Sequence, residues 1–386
     1  VIVSHDGTEQ RIGMRTRPVR AFDYPFLLTP DQLPHVEAIL HAWQDQTLLI
    51  PIWTDVQVLT EELAAGSQVI PCDYSTRDFE IGGRAAIFAP DYNAADYGAR
   101  DSWYEVVEVS DLGTTGLVVN LGTVRAWPRG SWLMPVREGL LSESATWTRQ
   151  TAEGGTGNAS IRLTDPGYPS LVGLVIPDQY RGLDVLPWRA DRDTDLDETY
   201  QRLQSRFASS GGTVQVTQRT DRPDVVRGPA FTFPSREEIL ELRAWLALRE
   251  GRRRAYYASS GNRDLDLVFP AAAADRSLLV KGVRGAQLYG RRHGPSTLDP
   301  WQNLGREDIE IRERAGSAPI RRRILEWAEA GEGVDQLFLD ASPGEALVPG
   351  REVLSLLGKV RLESDTLDLR WLTDGLVTVT LPTRSI

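Results

Sequence analysis

The residues able to do chemistry are few and scattered. Four histidines occur, His5, His35, His41 and His293. His35 and His41 stand six apart, which places them on different faces of a helix and argues against a shared metal ion. No HExxH, GxSxG, Walker A or CxxC motif occurs. The stretch "DRDTDLDE", Asp191 to Glu198, spaces carboxylates at alternate positions as a calcium loop does, but Leu196 stands where that loop needs Gly and Arg202 where it needs Glu. A solvated linker is the expectation there. "GGTGNAS", Gly154 to Ser160, lies between two strand patterns instead of ahead of a helix, so it reads as a hairpin turn and not as a phosphate cradle. Cys72 is the only cysteine, so no internal disulfide is possible. Asp73 beside it would not lower its pKa, and a buried structural role is expected. Asn158-Ala159-Ser160 is a glycosylation sequon by pattern alone and is expected to be unused. The set predicts no catalytic residue, no metal and no cofactor. The carboxylate pair or zinc site of a cell-wall hydrolase is missing too.

Tryptophan is the one chemically distinctive residue in quantity, with 11 copies. Trp53, Trp103, Trp127, Trp132 and Trp147 fall in β-rich stretches, where a carbohydrate-binding platform would use them; packing inside the protein is the plainer reading. Composition bounds the rest. The chain has 386 residues, 41% apolar and 25% charged, which suits a folded protein of two or three domains. Its 43 basic and 54 acidic residues give a net charge of -11. That balance disfavours a phosphate-binding surface, and Arg252–Arg254 and Arg321–Arg323 are too short to supply one. No apolar run reaches the roughly 18 residues of a membrane span. No signal peptide is visible, so synthesis in the cytoplasm is expected.

The elements that would carry any site are written twice. "AFDYPFLL", from Ala21, reads as a strand paired with "RIGMRTRP", from Arg11. A helix over 30–45 follows, with Thr29 as N-cap and an apolar face of Val36, Ile39, Leu40 and Trp43, and "TLLIPIW" is the next strand. About 205 residues on, the strands "TVQVTQRT" and "PAFTFP" precede a helix over 235–250. Its capping box is Ser235 with Glu238, and its apolar face is Ile239, Leu242, Trp245 and Leu246. Strands "RRAYYAS" and "RDLDLVFP" come after it. Later, Tyr104–Leu121 matches Arg323–Asp340 as strand, Gly-containing turn, strand; Gly130 matches Gly350, and Glu143-Ser144 matches Glu363-Ser364. The late offset is about 220, so the second copy holds an insertion, expected at "RRHGPSTLDPWQNLGRED". Between the copies lies a Pro- and Gly-rich linker with a short helix expected near Leu196 to Phe207. The intervening segments, 56–138 and 271–356, are long enough to form small β-barrels.

The stretches "EQRIGMRTRPVRAFDYPFLL", "HAWQDQ", "LLIPIW" and the closing "GKVRLESDTLDLRWLTDGLVTVTLPTR" resemble tail-tip proteins of long-tailed bacteriophages. The likeness is to the lambda minor tail protein M, distal tail proteins and the tube-like domains of baseplate hubs. It covers most of the chain, less the linker and part of the inserts, and departs from single-module members in carrying two modules. The resemblance implies a mainly β protein of two tandem β-sandwich modules, each with one flanking helix and an inserted small β-barrel-like segment. The modules would be 1–55 with 139–165 and 211–270 with 357–386, the inserts 56–138 and 271–356, and the linker 166–210. It further implies a structural virion protein of the tail tip or baseplate, made in the host bacterial cytoplasm and not an enzyme. Its partners would be the tail tube protein, other tip or hub proteins and itself in a ring that lets DNA pass. Three chains with two modules each would match a sixfold tube, so a trimer is preferred to a hexamer. The alternative is a receptor- or carbohydrate-binding virion module.

Overall fold

A computed structural model describes residues 2–3, 9–13, 18–28, 32–42, 45–89, 104–141, 146–151, 154–164, 177–193, 195–202, 204–208, 210–218, 223–282, 285, 306–313 and 318–386. The protein is mainly β, with several antiparallel sheets and, among the described residues, two α-helices. The first half runs β1 (Ile2–Val3), β2 (Glu9–Gln10), β3 (Ala21–Leu28), α1 (Leu33–Ala42), β4 (Leu48–Pro51), a 3-10 turn (Trp53–Asp55), β5 (Gln57–Val58), β6 (Val69–Pro71), β7 (Arg84–Phe88), β8 (Tyr104–Gly113), β9 (Gly116–Val119), β10 (Trp132–Leu141), β11 (Thr146–Thr151) and β12 (Gly154–Leu163). Between the halves come β13 (Gln179–Tyr180), β14 (Leu183–Asp184), β15 (Glu198–Gln201), β16 (Gln204–Ala208) and β17 (Val214–Gln218). The second half holds β18 (Asp224–Arg227), β19 (Ala230–Phe233), α2 (Arg236–Arg249), β20 (Tyr256–Ser259), β21 (Ser277–Lys281), β22 (Asp308–Glu313), β23 (Ile320–Gly331), β24 (Val334–Leu339), β25 (Glu352–Leu362), β26 (Leu369–Thr373), β27 (Leu376–Thr380) and β28 (Thr383–Ser385).

Strand pairings recur in the same order in both halves. β3 pairs β12 as β19 pairs β27, and β4 pairs β10 as β20 pairs β25. The β10–β7–β8–β9–β6 run corresponds to β25–β22–β23–β24–β21, and the β11–β12 hairpin to β26–β27. One long strand organises each half. β10 pairs β7 through Trp132–Val136, β4 through Val136–Gly139 and β12 through Gly139–Leu141. β25 does the same with β22, β20 and β28. Gly130 and Gly350, each just ahead of that strand, have φ of 95° and 85°, a left-handed turn that suits Gly alone without strain.

Period-two patterning explains why these strands form. Along β8, Val107 and Val109 point inward while Tyr104, Val106 and Glu108 point outward. The inward residues build two matching cores. One holds Leu63, Ile70, Ile87, Val107, Leu117, Trp127 and Leu133; the other holds Ala271, Leu278, Ile309, Ile324, Leu337, Leu347 and Leu354. Trp127 bridges Leu63 where Leu347 bridges Ala271, so a larger pair fills the first core at the same point.

Several sequence expectations are corrected. Among the described residues no barrel closes: the ladders follow open paths. Residues 59–68 and 263–275 meet their neighbours through isolated bridges, among them Leu63↔Trp127, Leu265↔Leu354 and Leu267↔Val280, instead of continuous ladders. In the second stretch Pro270, between the bridges at Leu267 and Ala271, brings no N–H to a ladder. The helix expected at Leu196–Phe207 is strand: β15 pairs β18, and β16 pairs β17. Both strands are exposed throughout, so no core exists for a helix to lie on, and Thr199, Tyr200 and Phe207 favour extended backbone. "TVQVTQRT" therefore pairs with β16 and not with "PAFTFP". "GGTGNAS" is no turn but the body of β12, hydrogen-bonded to β11 and β3 at once. Residues 11–13 and 18–20 are not strand. Thr29, Trp43, Glu143-Ser144 and residues 291–305 of the expected insertion at 291–308 lie outside the described residues.

Candidate functional site

Val58, Trp132, Phe88 and Tyr104 lie directly opposite one another on β5, β10, β7 and β8. Direct cross-strand neighbours share a face of the sheet, so the three rings form a row. Four adjacent strands span about 14 Å at the usual strand spacing. Phe88 stacks on Tyr104 with centroids 6.2 Å apart. The 3-10 turn adds Trp53, whose ring is 5.7 Å from Phe88 and meets Trp132 edge-on at 6.0 Å and 83°. Trp53 is held in place because Ile52 before it is fully buried and its N–H donates to Pro135 O at 2.8 Å. Trp53, Trp132 and Tyr104 each keep about two fifths of their surface exposed, at 41%, 38% and 41%.

Polar groups meet this row in a cleft of about 650 Å³ lined by Trp53, Val56, Gln57, Val58, Asp73, Arg77, Trp132 and Asp374. Asp374 comes from the β26–β27 turn of the second half, so both halves contribute. Asp73 is pinned by Ser75, whose hydroxyl and N–H donate to its carboxylate at 2.6 and 3.0 Å. These bonds hold the Asp73 carboxyl below its ordinary range, so it is ionised at neutral pH. Gln57 Oε1 accepts from Asp73 N–H at 3.1 Å, and Arg77 donates to Asp73 O at 3.0 Å. Burial, then repulsion from Arg236, pushes the Arg77 guanidinium pKa down from its usual value.

Behind the cleft the halves are tied by ions. Asp55, fully buried at the end of the 3-10 turn, accepts from Asp78 N–H at 3.0 Å and from Arg236 at 3.2 Å. Arg236 opens α2 and also donates to Thr54 O. Further in, Asp78 binds Arg137 at 2.7 Å and Arg20 at 2.5 Å, and Arg137 also meets Glu80.

Trp53 and Trp132 thus come together, while Trp127 goes elsewhere. Trp127 is a core residue whose indole N–H donates to buried Glu105 at 2.9 Å. Trp103 and the Trp147 side chain lie outside the described residues. Of the helix residues, Ile239, Leu242 and Trp245 are buried, Leu246 packs against their cluster, and Val36, Ile39 and Leu40 are half-buried. Cys72 is half-buried beside the cleft, and burial pushes its thiol pKa up to about 11, which keeps it protonated and a poor nucleophile near neutral pH. His41 is exposed on the last turn of α1. Among the described residues no three His, Cys, Asp or Glu side chains gather as a metal site. The arrangement offers recognition: aromatic faces, two carboxylates, an amide and a guanidinium. Sequence reasoning missed Phe88, Tyr104, Arg77 and Asp374; each is ordinary alone, and only strand register assembles them.

No protein-family model matches the chain, and no curated protein matches it.

Proposed function

We propose that the chain is a structural protein of a bacteriophage tail tip or baseplate, built of two tandem β-sandwich modules with β-rich inserts and assembling into a ring around the DNA path. The observation that carries this reading is the repeated order of strand pairings, from β3–β12 to β19–β27 and from β4–β10 to β20–β25. A duplicated module lets three chains present six equivalent surfaces, matching a sixfold tube with half the copies. The Asp55–Arg236 tie, at 3.2 Å, supports a fixed setting of one module against the other. The ring joins the tube protein to other tip or hub proteins, and the net charge of -11 suits DNA that passes without sticking. No helix among the described residues is long and apolar enough to cross a membrane. The native mass of the purified protein, read with negative-stain images, tests the proposal. Rings of three times the 42.9 kDa chain mass are expected. Six copies would reject the trimer, and monomers at every concentration would reject the ring.

A second reading, a receptor- or carbohydrate-binding virion module, is favoured by one observation: the exposed aromatic cleft of Trp53 and Trp132.

A further inference from the structure

We infer that the cleft between the first insert and the β26–β27 turn is a binding site for a neutral saccharide chain, with Trp53 and Trp132 as its stacking platform and Asp73 and Asp374 as its hydroxyl acceptors. The inference deepens the second reading above and rests on it; it is independent of the ring.

The chemistry follows from the lining. A sugar ring is amphipathic: its C–H face is apolar and its rim carries hydroxyls. The cleft has the complementary split. Two indoles meet at 83°, forming a corner in which one sugar face lies on each ring or along the row toward Phe88 and Tyr104. Trp53 and Trp132, at 41% and 38% exposure, have surface left to stack upon. Asp73 is held by Ser75 in one orientation, so an acceptor is in place before a ligand arrives. The volume of about 650 Å³ lies in the range of small-ligand clefts and suits a short oligosaccharide. A protein partner would instead need a broad surface of about 800 Å² per side. Charge narrows the class further. Two carboxylates against the single guanidinium of Arg77 leave the lining net negative, which disfavours phosphorylated, sulfated or uronic chains and nucleic acid.

The test is calorimetric titration of the full chain with a panel of neutral oligosaccharides of two to six residues. The panel covers α- and β-linked hexoses and N-acetylhexosamines, each beside a sulfated counterpart. Binding of at least one neutral member with a dissociation constant under about 1 mM is expected. Trp53→Ala and Trp132→Ala should each weaken it about tenfold, the scale of one lost aromatic contact. Asp374→Asn, on an exposed turn, should weaken it about tenfold with the fold intact, which keeps the test sound if a Trp variant unfolds. Phe207→Ala, on the exposed β16, should leave it unchanged. No binding by any neutral member at about 1 mM would overturn the inference. So would binding indifferent to the Trp variants, or a preference for the sulfated chains. Native mass on the same samples separates the readings: a monomer that binds the sugar rejects the ring and keeps the site, and a ring that binds none rejects the site and keeps the ring.

Discussion

α1 and α2 occupy the same place in the same order of strands, yet they are packed differently. α2 buries Ile239, Leu242 and Trp245 in one cluster with Phe231, Phe233, Tyr256, Val377 and Val379. The fully buried Trp245 meets Tyr256 edge-on at 4.8 Å, and the Arg249 guanidinium lies 4.8 Å over its ring. Val36, Ile39 and Leu40 of α1 are half-buried and join none of the buried clusters among the described residues. The difference is not in the apolar stripe, which both helices carry. Among the described residues it lies in what covers them. The chain leading into the second half lays Leu186 and Trp188 against α2, with Trp188 5.2 Å from Phe233 and 5.9 Å from Trp245, and Asp184 pairs with buried Arg249. From the first half, Arg11 donates to Arg252 O at 2.8 Å, beyond the end of α2. The second helix is thus covered by the segment that leads into its half, so a stripe alone does not decide burial.

Truncation should expose this asymmetry most strongly. Trp245→Ala is expected to cost about 3–5 kcal/mol, the range for a large aromatic removed from a closed core. Leu40→Ala, at the same kind of helix position, should cost about 1 kcal/mol, since a half-buried side chain loses less apolar burial and leaves no sealed cavity. Urea denaturation of the two variants checks it. Equal losses would break the comparison and mean that α1 has a full core of its own.

The next effect concerns the tie between the halves. Arg236→Ala leaves Asp55 fully buried with the Asp78 N–H as its remaining named donor. Stranding a buried carboxylate should cost about 3 kcal/mol. The exposed Arg84–Glu138 pair, at 3.5 Å within the first half, should be worth no more than about 1 kcal/mol. If Arg236→Ala matches an Arg84→Ala control in thermal denaturation, the halves do not depend on this contact.

Much of the β framework was readable in the chain because its signals are local. The alternation in Tyr104–Leu121 and Arg323–Asp340, the glycines at 130 and 350, and the Ser235–Glu238 cap each depend on neighbours in sequence. In the structure, Ser235 Oγ accepts the Glu238 N–H at 3.3 Å. What was not readable depends on register. Trp132, Phe88 and Tyr104 are ordinary strand-end aromatics until three ladders set them side by side, and Asp374 joins them only through the packing of two halves. Leu196 to Phe207 failed for a related reason. The two strands there are exposed, and strand pairing with β18 and β17 prevails.

The smallest effect is electrostatic and opposes one carboxylate in each half. Asp73 has its folded pKa depressed, first by the Ser75 hydroxyl and then by the Ser75 N–H. A depressed carboxylate contributes stability above its unfolded value, about 3.9, and loses it as pH falls through the folded value. In the second half burial is the leading influence on Asp308 and lifts its pKa, although the Tyr180 hydroxyl at 2.9 Å and Arg181 at 3.1 Å pull the other way. A raised carboxyl contributes stability below the unfolded value and loses it as pH rises through the folded one. Ser75→Ala should therefore cost under about 1 kcal/mol at neutral pH, because Asp73 is largely exposed and solvent screens it, and the cost should fade on acidification. Asp308→Asn should show the opposite trend, its penalty greatest in acid and shrinking as pH rises. Denaturation midpoints from about pH 3 to pH 7 read both slopes. Parallel slopes would mean that the two carboxylates share one environment, and the contrast between an exposed, hydroxyl-held Asp73 and a buried Asp308 would fall.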